Sequence, residues 1–292
     1  MNFEIITDSS ANLPESIIDQ YGLHILSLEF YIDDQVYLSY QKDEVTDLSQ
    51  FYAKMRDGKM VTTSLARLED TDLIIRKLFE QGKDVLYLGF DSTLSGTFER
   101  CSTYMQNLQT DEYPQRTLRC VDTLAAALGQ GMLVVEACKM REAGHTLDEV
   151  AEWAECDRLT FAQWFTVDDL SYLQRGGRLS KGAAFAGTLL NIKPVLHVDE
   201  EGRLVPVEKV RGRKKSLHAL FDRFSECASE PKSQQTVYIS HGDCREDADY
   251  LAGLIKDGFG TTDFLINNLE PVIGAHSGPG TIALFFRTDK AR

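Results

Sequence analysis

Val85-Leu86-Tyr87-Leu88-Gly89-Phe90-Asp91-Ser92-Thr93-Leu94-Ser95-Gly96-Thr97-Phe98 carries an apolar run straight into a loop of hydroxyls and glycine. A short apolar run with a polar boundary predicts a strand buried on both faces. Beyond the loop, Phe98, Cys101, Met105 and Leu108 recur at spacings of three and four, which places one apolar stripe on a helix. Strand, polar loop and helix make the repeating unit of a parallel α/β sheet, in which ligands bind outside the carboxyl ends of the strands. The loop is therefore both the signature of the fold and the first place to look for a site.

The same grammar extends outward. Apolar runs at 3–7, 24–30 and 118–121 predict further strands, and 124–143 reads as a helix closed by Gly144, where a left-handed residue is favourable. Thr7-Asp8-Ser9-Ser10 and Asp122-Thr123 follow strands, Thr62-Thr63-Ser64 precedes a helical stretch, and all could converge on one crevice. Asp8 and Ser9 read equally as functional groups or as scaffolding, whereas Asn12 with Pro14 suits the start of a short helix. Residues 33–60, acidic and tyrosine-rich, suggest an insertion or a lobe outside the main sheet.

Near residue 158 the pattern changes. A strand at 161–165, a hairpin of 195–198 and 204–210 around Glu200-Glu201-Gly202, helices at 214–228 and 246–256, and strands at 237–240 and 281–286 follow. The expectation is an N-terminal α/β domain with a largely parallel sheet over residues 1–158 and a C-terminal α+β domain over 159–292.

Composition narrows the function. With 292 residues, 43% of them hydrophobic, there is material for sizeable cores. The 45 acidic against 31 basic side chains, a net charge of -14, oppose attraction to nucleic acid or to an anionic membrane surface. No apolar run approaches the roughly 20 residues of a membrane span, and the acidic N-terminus lacks a basic leader, so the expected compartment is the cytoplasm, with no integral membrane association. Cys101, Cys120, Cys138, Cys156, Cys227 and Cys244 show no metal-ligand spacing, which points to core packing and to no metal. No cofactor is expected. Nucleophile-elbow, phosphate-loop, dinucleotide and metalloprotease motifs are absent, so no residue is nominated as catalytic.

Three constellations remain. In the Ser95-Gly96-Thr97 loop a glycine lets backbone amides approach a ligand, and the helix that starts there offers free N–H groups to an anion; equally, Ser95 or Thr97 could simply cap that helix. Arg175-Gly176-Gly177-Arg178 offers forked donors to a carboxylate, a phosphate or an acidic partner, or forms a solvated turn paired with Asp168 and Asp169. His276 sits in a stretch rich in glycine, Gly274 to Gly280, which reads as a flexible turn, and can donate to an anion or titrate near neutrality. The basic cluster Arg203, Lys209, Arg211, Arg213, Lys214 and Lys215 lacks interleaved aromatics and reads as a docking surface or a solvated hairpin face.

Taken together, Thr7-Asp8-Ser9-Ser10-Ala11-Asn12-Leu13-Pro14, Leu94-Ser95-Gly96-Thr97-Phe98, Tyr172-Leu173-Gln174-Arg175-Gly176-Gly177-Arg178-Leu179-Ser180, Leu190-Asn191-Ile192-Lys193-Pro194 and His276-Ser277-Gly278-Pro279-Gly280 resemble the DegV family, in order and over nearly the whole chain. The resemblance implies a protein that binds a long-chain fatty acid in an apolar tunnel at or near the domain interface. It further implies a non-catalytic, acyl-carrying subunit that presents the carboxyl group to the catalytic subunit of a fatty acid kinase, which makes an acyl phosphate for phospholipid synthesis. On the family pattern Thr63, Ser95, Gly96 and His276 hold the carboxylate, and Arg175 and Arg178 serve the head group or partner docking. Two departures bear on this: Leu65-Ala66-Arg67 stands where the family shows a polar residue and proline, and Asp91 adds a carboxylate beside the loop.

Other readings make different predictions. An enzyme acting on a small carboxylated or phosphorylated substrate, with His276 as acid or base, would turn over without a partner. A nucleic-acid-binding regulator would show salt-sensitive binding, against the net charge.

Overall fold

The computed structural model describes residues 3–44, 46–179 and 191–292; Ser180 and Leu190 of the family-like blocks lie outside the described residues. The first half runs β1 (Phe3–Asp8), α1 (Glu15–Tyr21), β2 (His24–Leu26), β3 (Glu29–Ile32), β4 (Gln35–Leu38), α2 (Leu48–Arg56), β5 (Val61–Ser64) and α3 (Leu68–Glu80). It continues through β6 (Asp84–Gly89), α4 (Thr97–Glu112), β7 (Leu118–Asp122), α5 (Leu128–Glu142) and α6 (Leu147–Asp157). The second half comprises β8 (Phe161–Thr166), α7 (Ser171–Arg175), β9 (Ile192–Val198), β10 (Leu204–Arg211), α8 (Arg213–Cys227), β11 (Thr236–His241), α9 (Arg245–Phe259), β12 (Asp263–Asn268), α10 (Pro271–Ser277) and β13 (Ile282–Arg287).

A parallel sheet in the order β2-β1-β6-β7 forms the N-terminal α/β part. Ile5, Ile6, Val85, Leu86, Tyr87 and Leu88 are fully buried in it, as a sheet covered on both faces requires. The C-terminal sheet has the mixed order β10-β9-β8-β13-β11-β12. One of its faces, with Ile239, Leu284 and Phe286, packs with Leu217, Phe224 and Leu251 of α8 and α9 in a core of its own. The other, with Phe165, Tyr238 and Phe285, shares the large core of the N-terminal part. Between the sheets lies α5, whose Leu128, Leu133, Val134, Ala137 and Cys138 are all buried: a helix apolar all round needs walls on every side.

Four local expectations are corrected. The apolar run 24–30 is two strands, not one: Ser9 Oγ accepts from Leu28 N at 3.1 Å and Ser27 Oγ from Tyr40 N at 2.9 Å, and these side-chain bonds lead the chain out of the parallel sheet. It enters an antiparallel sheet, β4-β3-β5, which with α2 makes residues 33–60 the lobe suspected from their composition. The helix expected from 124 starts at Leu128, because Leu124 and Ala127 hold φ of 48° and 52°. Gln163 replaces the helical bonds there, accepting from Ala126 N at 3.2 Å and donating to Leu124 O at 3.1 Å. Asn12 caps no helix start: its Oδ1 accepts from Glu270 N at 2.9 Å and its Nδ2 donates to Ser240 Oγ at 3.2 Å, tying the two halves together. Finally, the cysteines are not all core residues, since Cys156 and Cys227 are exposed.

Candidate functional site

The loop after β6 is held from beneath. The buried Asp8 carboxylate accepts from Phe90 N at 2.8 Å, Tyr87 OH at 3.2 Å, Gln130 Nε2 at 3.3 Å and Ser10 N at 3.2 Å, which locks the ends of β1 and β6 together. Burial raises its pKa against the pull of these donors. Asp8 and Ser9 are thus scaffolding. Above them Ser95 Oγ accepts from Thr97 N at 3.2 Å and lies 3.0 Å from Thr97 Oγ1, so Ser95 serves the helix start and also lines a cavity. Gly96 is the N-cap of α4, with φ of -71°, and stands outside the cavity lining. Asp91 points away from that lining: it accepts from Thr93 N at 2.8 Å, and its carboxylate fills the space a side chain at Gly202 would need. Burial pushes Asp91 up to about 7.

The cavity, about 270 Å³, opens between the two halves. Its size is near the lower end of ligand cavities, roughly 300–1,000 Å³. The walls are mostly apolar: Leu28 and Leu65 from the lobe side, Phe90 and Leu94 from the loop after β6, Val272 and Ile273 from α10, Phe165, Ala283 and Phe285 from the C-terminal sheet. Leu65, one of the departures, is therefore a wall residue.

Polar groups gather at one end. Thr63 lies on β5, paired with Phe30 of β3, and its Oγ1 is 2.8 Å from His276 Nε2. His276 is not in a flexible turn; it occupies the last turn of α10, whose start is fixed by Pro271 and by the Glu270 carboxylate accepting from Val272 N at 2.8 Å and Ile273 N at 2.6 Å. Burial, with Arg178 nearby, pushes His276 down to about 4, so it is neutral at pH 7. In the tautomer that carries its proton on Nε2, it donates to Thr63 and leaves the threonine hydroxyl free to donate into the cavity. A β-carbon on Gly176 would clash with His276 Nδ1, so glycine is required there by close approach rather than by backbone conformation.

Arg178 completes the cluster. Its Nε donates to Leu94 O at 3.0 Å and its Nη1 to Gly176 O at 2.5 Å, and burial pushes the guanidinium down. No carboxylate pairs with it among the described residues. The anticipated pairing of this turn with its acidic neighbours does not form: Asp168 holds Lys193 at 2.6 Å and approaches Arg213 at 3.6 Å, while Asp169 accepts from Ser171 N at 2.8 Å. Arg175 stands apart from the cavity, 4.5 Å over the Tyr172 ring. It lines an outer depression with Lys59 and Met60, which Thr63, Arg178 and His276 also border. In the basic cluster, Arg203 is bound by Asp199 and Glu201, and Arg213 by Asp247.

The structure thus brings Thr63, Ser95, Arg178 and His276 to one cavity and leaves Gly96 and Arg175 beside it. Sequence reasoning missed Gln163 and Ser277, which also line it; Ser277 lay in view in the His276 block, directly beside the histidine. Among the described residues no cluster of His, Cys, Asp and Glu could hold a metal ion, and no helix is long and apolar enough to cross a membrane.

The family model described as "Uncharacterised protein, DegV family" matches residues 2–289. A DegV domain-containing protein of Clostridium perfringens is 40% identical over 287 residues, 98% of each chain. Among solved structures, a fatty acid binding DegV family protein from Streptococcus agalactiae superposes with a TM-score of 0.85 at 30% identity, over 99% of this chain and 100% of the other. A DegV family protein from Thermus thermophilus, described for its fatty acid binding, gives 0.84 at 30% identity over 99% and 100%. A match across the whole length, by sequence and by backbone, has one meaning: this chain belongs to the DegV family.

Proposed function

We propose that this protein binds one long-chain fatty acid, with the acyl chain along the apolar walls and the carboxylate at the Thr63, Ser95, Arg178 and His276 end. The observation that carries the reading is Arg178: a half-buried cation whose partners among the described residues are carbonyls, at the polar end of a mostly apolar cavity. A ligand that matches both features has one anionic head and a long apolar body. Burial is worth about 0.8 kcal/mol per methylene, so a C16-type chain gains about 10 kcal/mol before ordering costs, and the polar end need only orient the head.

The protein acts, in this reading, as a carrier inside the cell and performs no chemistry. His276 is neutral and its Nε2 is engaged by Thr63, an arrangement that positions a donor. Thr63, Arg178 and His276 of that head-group set also border the outer depression, so a carboxyl group held there can be reached from outside while its chain stays buried. That exposure suits presentation to a partner fatty acid kinase for ATP-dependent phosphorylation to the acyl phosphate.

The test is direct. Purified protein is extracted with organic solvent, the extract identified by mass spectrometry, and the stripped protein titrated with oleate and palmitate. A fatty acid at near-equimolar amount is expected; none extracted and none rebound would overturn the carrier reading. Adding the kinase subunit and ATP to the loaded protein should yield acyl phosphate, and no product from loaded protein would remove the presenting role alone.

A further inference from the structure

Glu270 is more than a helix cap needs. It is 8% exposed, and burial raises its pKa to about 7. Serine, threonine or asparagine would cap α10 and bury no charge. The longer side chain reaches further. Its Oε1 accepts from Ile273 N at 2.6 Å and its Oε2 from Val272 N at 2.8 Å, while the Ser39 hydroxyl, in the lobe just after β4, donates to that same Oε2. One carboxylate thus ties the first turn of α10 to the lobe. Three donors converge on it, the arrangement that suits an ionised, acceptor-only group; a proton there adds a further donor where three already compete for lone pairs.

The tie bears on the head-group site because α10 lies along the lobe and meets it at three levels. Glu270 holds Ser39 at its start, Gly274 leaves no room for a side chain beside Tyr52 and Phe51 of α2, and His276 stands 2.8 Å from Thr63 of β5 at its end. Thr63 and His276 come from opposite sides of this one interface, and both line the fatty acid cavity. We infer that Glu270 is the positioning residue of the head-group site: by clamping α10 to the lobe it sets the pairing of Thr63 with His276, and the ligand carboxylate is held best while Glu270 is ionised. Proton uptake lies within reach of neutral pH. Glu270 borders a second cavity, about 300 Å³, together with Asp8 from β1, Glu15 from α1, and Asp43 and Glu44 from the lobe, and no cation lines it among the described residues. The nearby Tyr40 and Tyr52 have pKa values raised by burial and stay neutral. Burial and the like charge of Asp8 oppose ionisation of Glu270 and the converging donors favour it, so the balance turns at about pH 7.

This rests on the carrier reading, and one set of titrations separates the two. Palmitate is titrated by calorimetry into stripped native protein, Glu270→Gln, Ser39→Ala and Asp91→Asn at pH 6 and pH 8; comparison at equal pH cancels any change in the ligand itself. Native protein should bind more tightly than Glu270→Gln by about tenfold at pH 8, where Glu270 is ionised, and by about twofold at pH 6, where it is largely protonated. Ser39→Ala keeps the helix cap and cuts the tie to the lobe, so it should weaken binding about threefold at pH 8, whereas a residue that merely caps α10 predicts no loss. Asp91→Asn removes the other carboxyl group raised to about 7 and should keep the native profile. A native-to-Glu270→Gln ratio that is the same at both pH values, native affinity in Ser39→Ala, or a pH dependence that disappears in Asp91→Asn would each overturn the inference while leaving fatty acid binding standing. If Glu270→Gln does not fold, Ser39→Ala decides alone. Failure of the native protein to bind palmitate at either pH would instead overturn the carrier reading beneath it.

Discussion

Two ionisable side chains near the end of β6, the buried Asp8 and the half-buried Arg178, are treated in opposite ways. The Asp8 carboxylate gathers donors from Phe90, Tyr87, Gln130 and Ser10. Among the described residues the Arg178 guanidinium donates only to the carbonyls of Leu94 and Gly176. A charge removed from water is stable when partners surround it, and one left without a counter-ion at a cavity wall is reserved for something that arrives later. The difference separates framework from site more reliably than residue type does, since both positions belong to family-like blocks.

The comparison breaks first at Asp8. Asp8→Ala should strand the donors of Phe90, Ser10 and Gln130 and lower stability by about 4 kcal/mol, read from denaturant unfolding. A loss under 1 kcal/mol would mean that the network is not framework.

Next comes pH. His276 is held at about 4 in the native protein against an unfolded value near 6.5, so between those values the unfolded chain binds the extra proton. Stability should therefore fall as pH drops from 6.5 to 4, by up to about 3 kcal/mol. Glu270 and Asp91, raised to about 7, act in the opposite sense: the unfolded chain ionises first, so they weaken the fold as pH rises from about 4 to 7. Comparison with His276→Gln isolates the histidine, and an unchanged pH profile in that variant would refute its assigned state.

Arg178→Met should leave stability within about 1 kcal/mol while weakening palmitate binding about 100-fold, the reverse of Asp8→Ala. Palmitate titration and unfolding of the same preparation decide it, and a large stability loss with intact binding would invert the two roles. Gly176→Ala should displace the imidazole, bring the His276 pKa back toward 6.5 by NMR titration and weaken binding about tenfold. The smallest effect is expected from Thr63→Ala with Ser95→Ala, a severalfold loss of fatty acid retention in a folded protein, because neutral hydroxyls orient the head while the chain supplies the affinity. Unchanged retention would move the head-group site elsewhere.

Much of the framework was legible before any coordinates. The apolar runs at β1, β6 and β7, the stripe along α4 and the hairpin of β9 and β10 are local patterns, and the residues that close the loop after β6 are near neighbours in the chain. Less legible were the places where a distant side chain overrules a local tendency. Gln163 unwinds the first turn expected of α5, Ser9 and Ser27 split the run at 24–30, and Glu270 turns a glycine-rich stretch into the helix that carries His276.

By itself the sequence determined the class of the fold, the family and the identity of the polar residues, because periodicity, capping and short motifs act over a few residues. The tertiary structure alone decided which of those residues share a cavity, that Asp91 turns away from it and that, among the described residues, no carboxylate pairs with Arg178. The reason is physical. A ligand cavity is enclosed by side chains from many elements, and whether a buried charge is satisfied depends on partners dozens to hundreds of residues away.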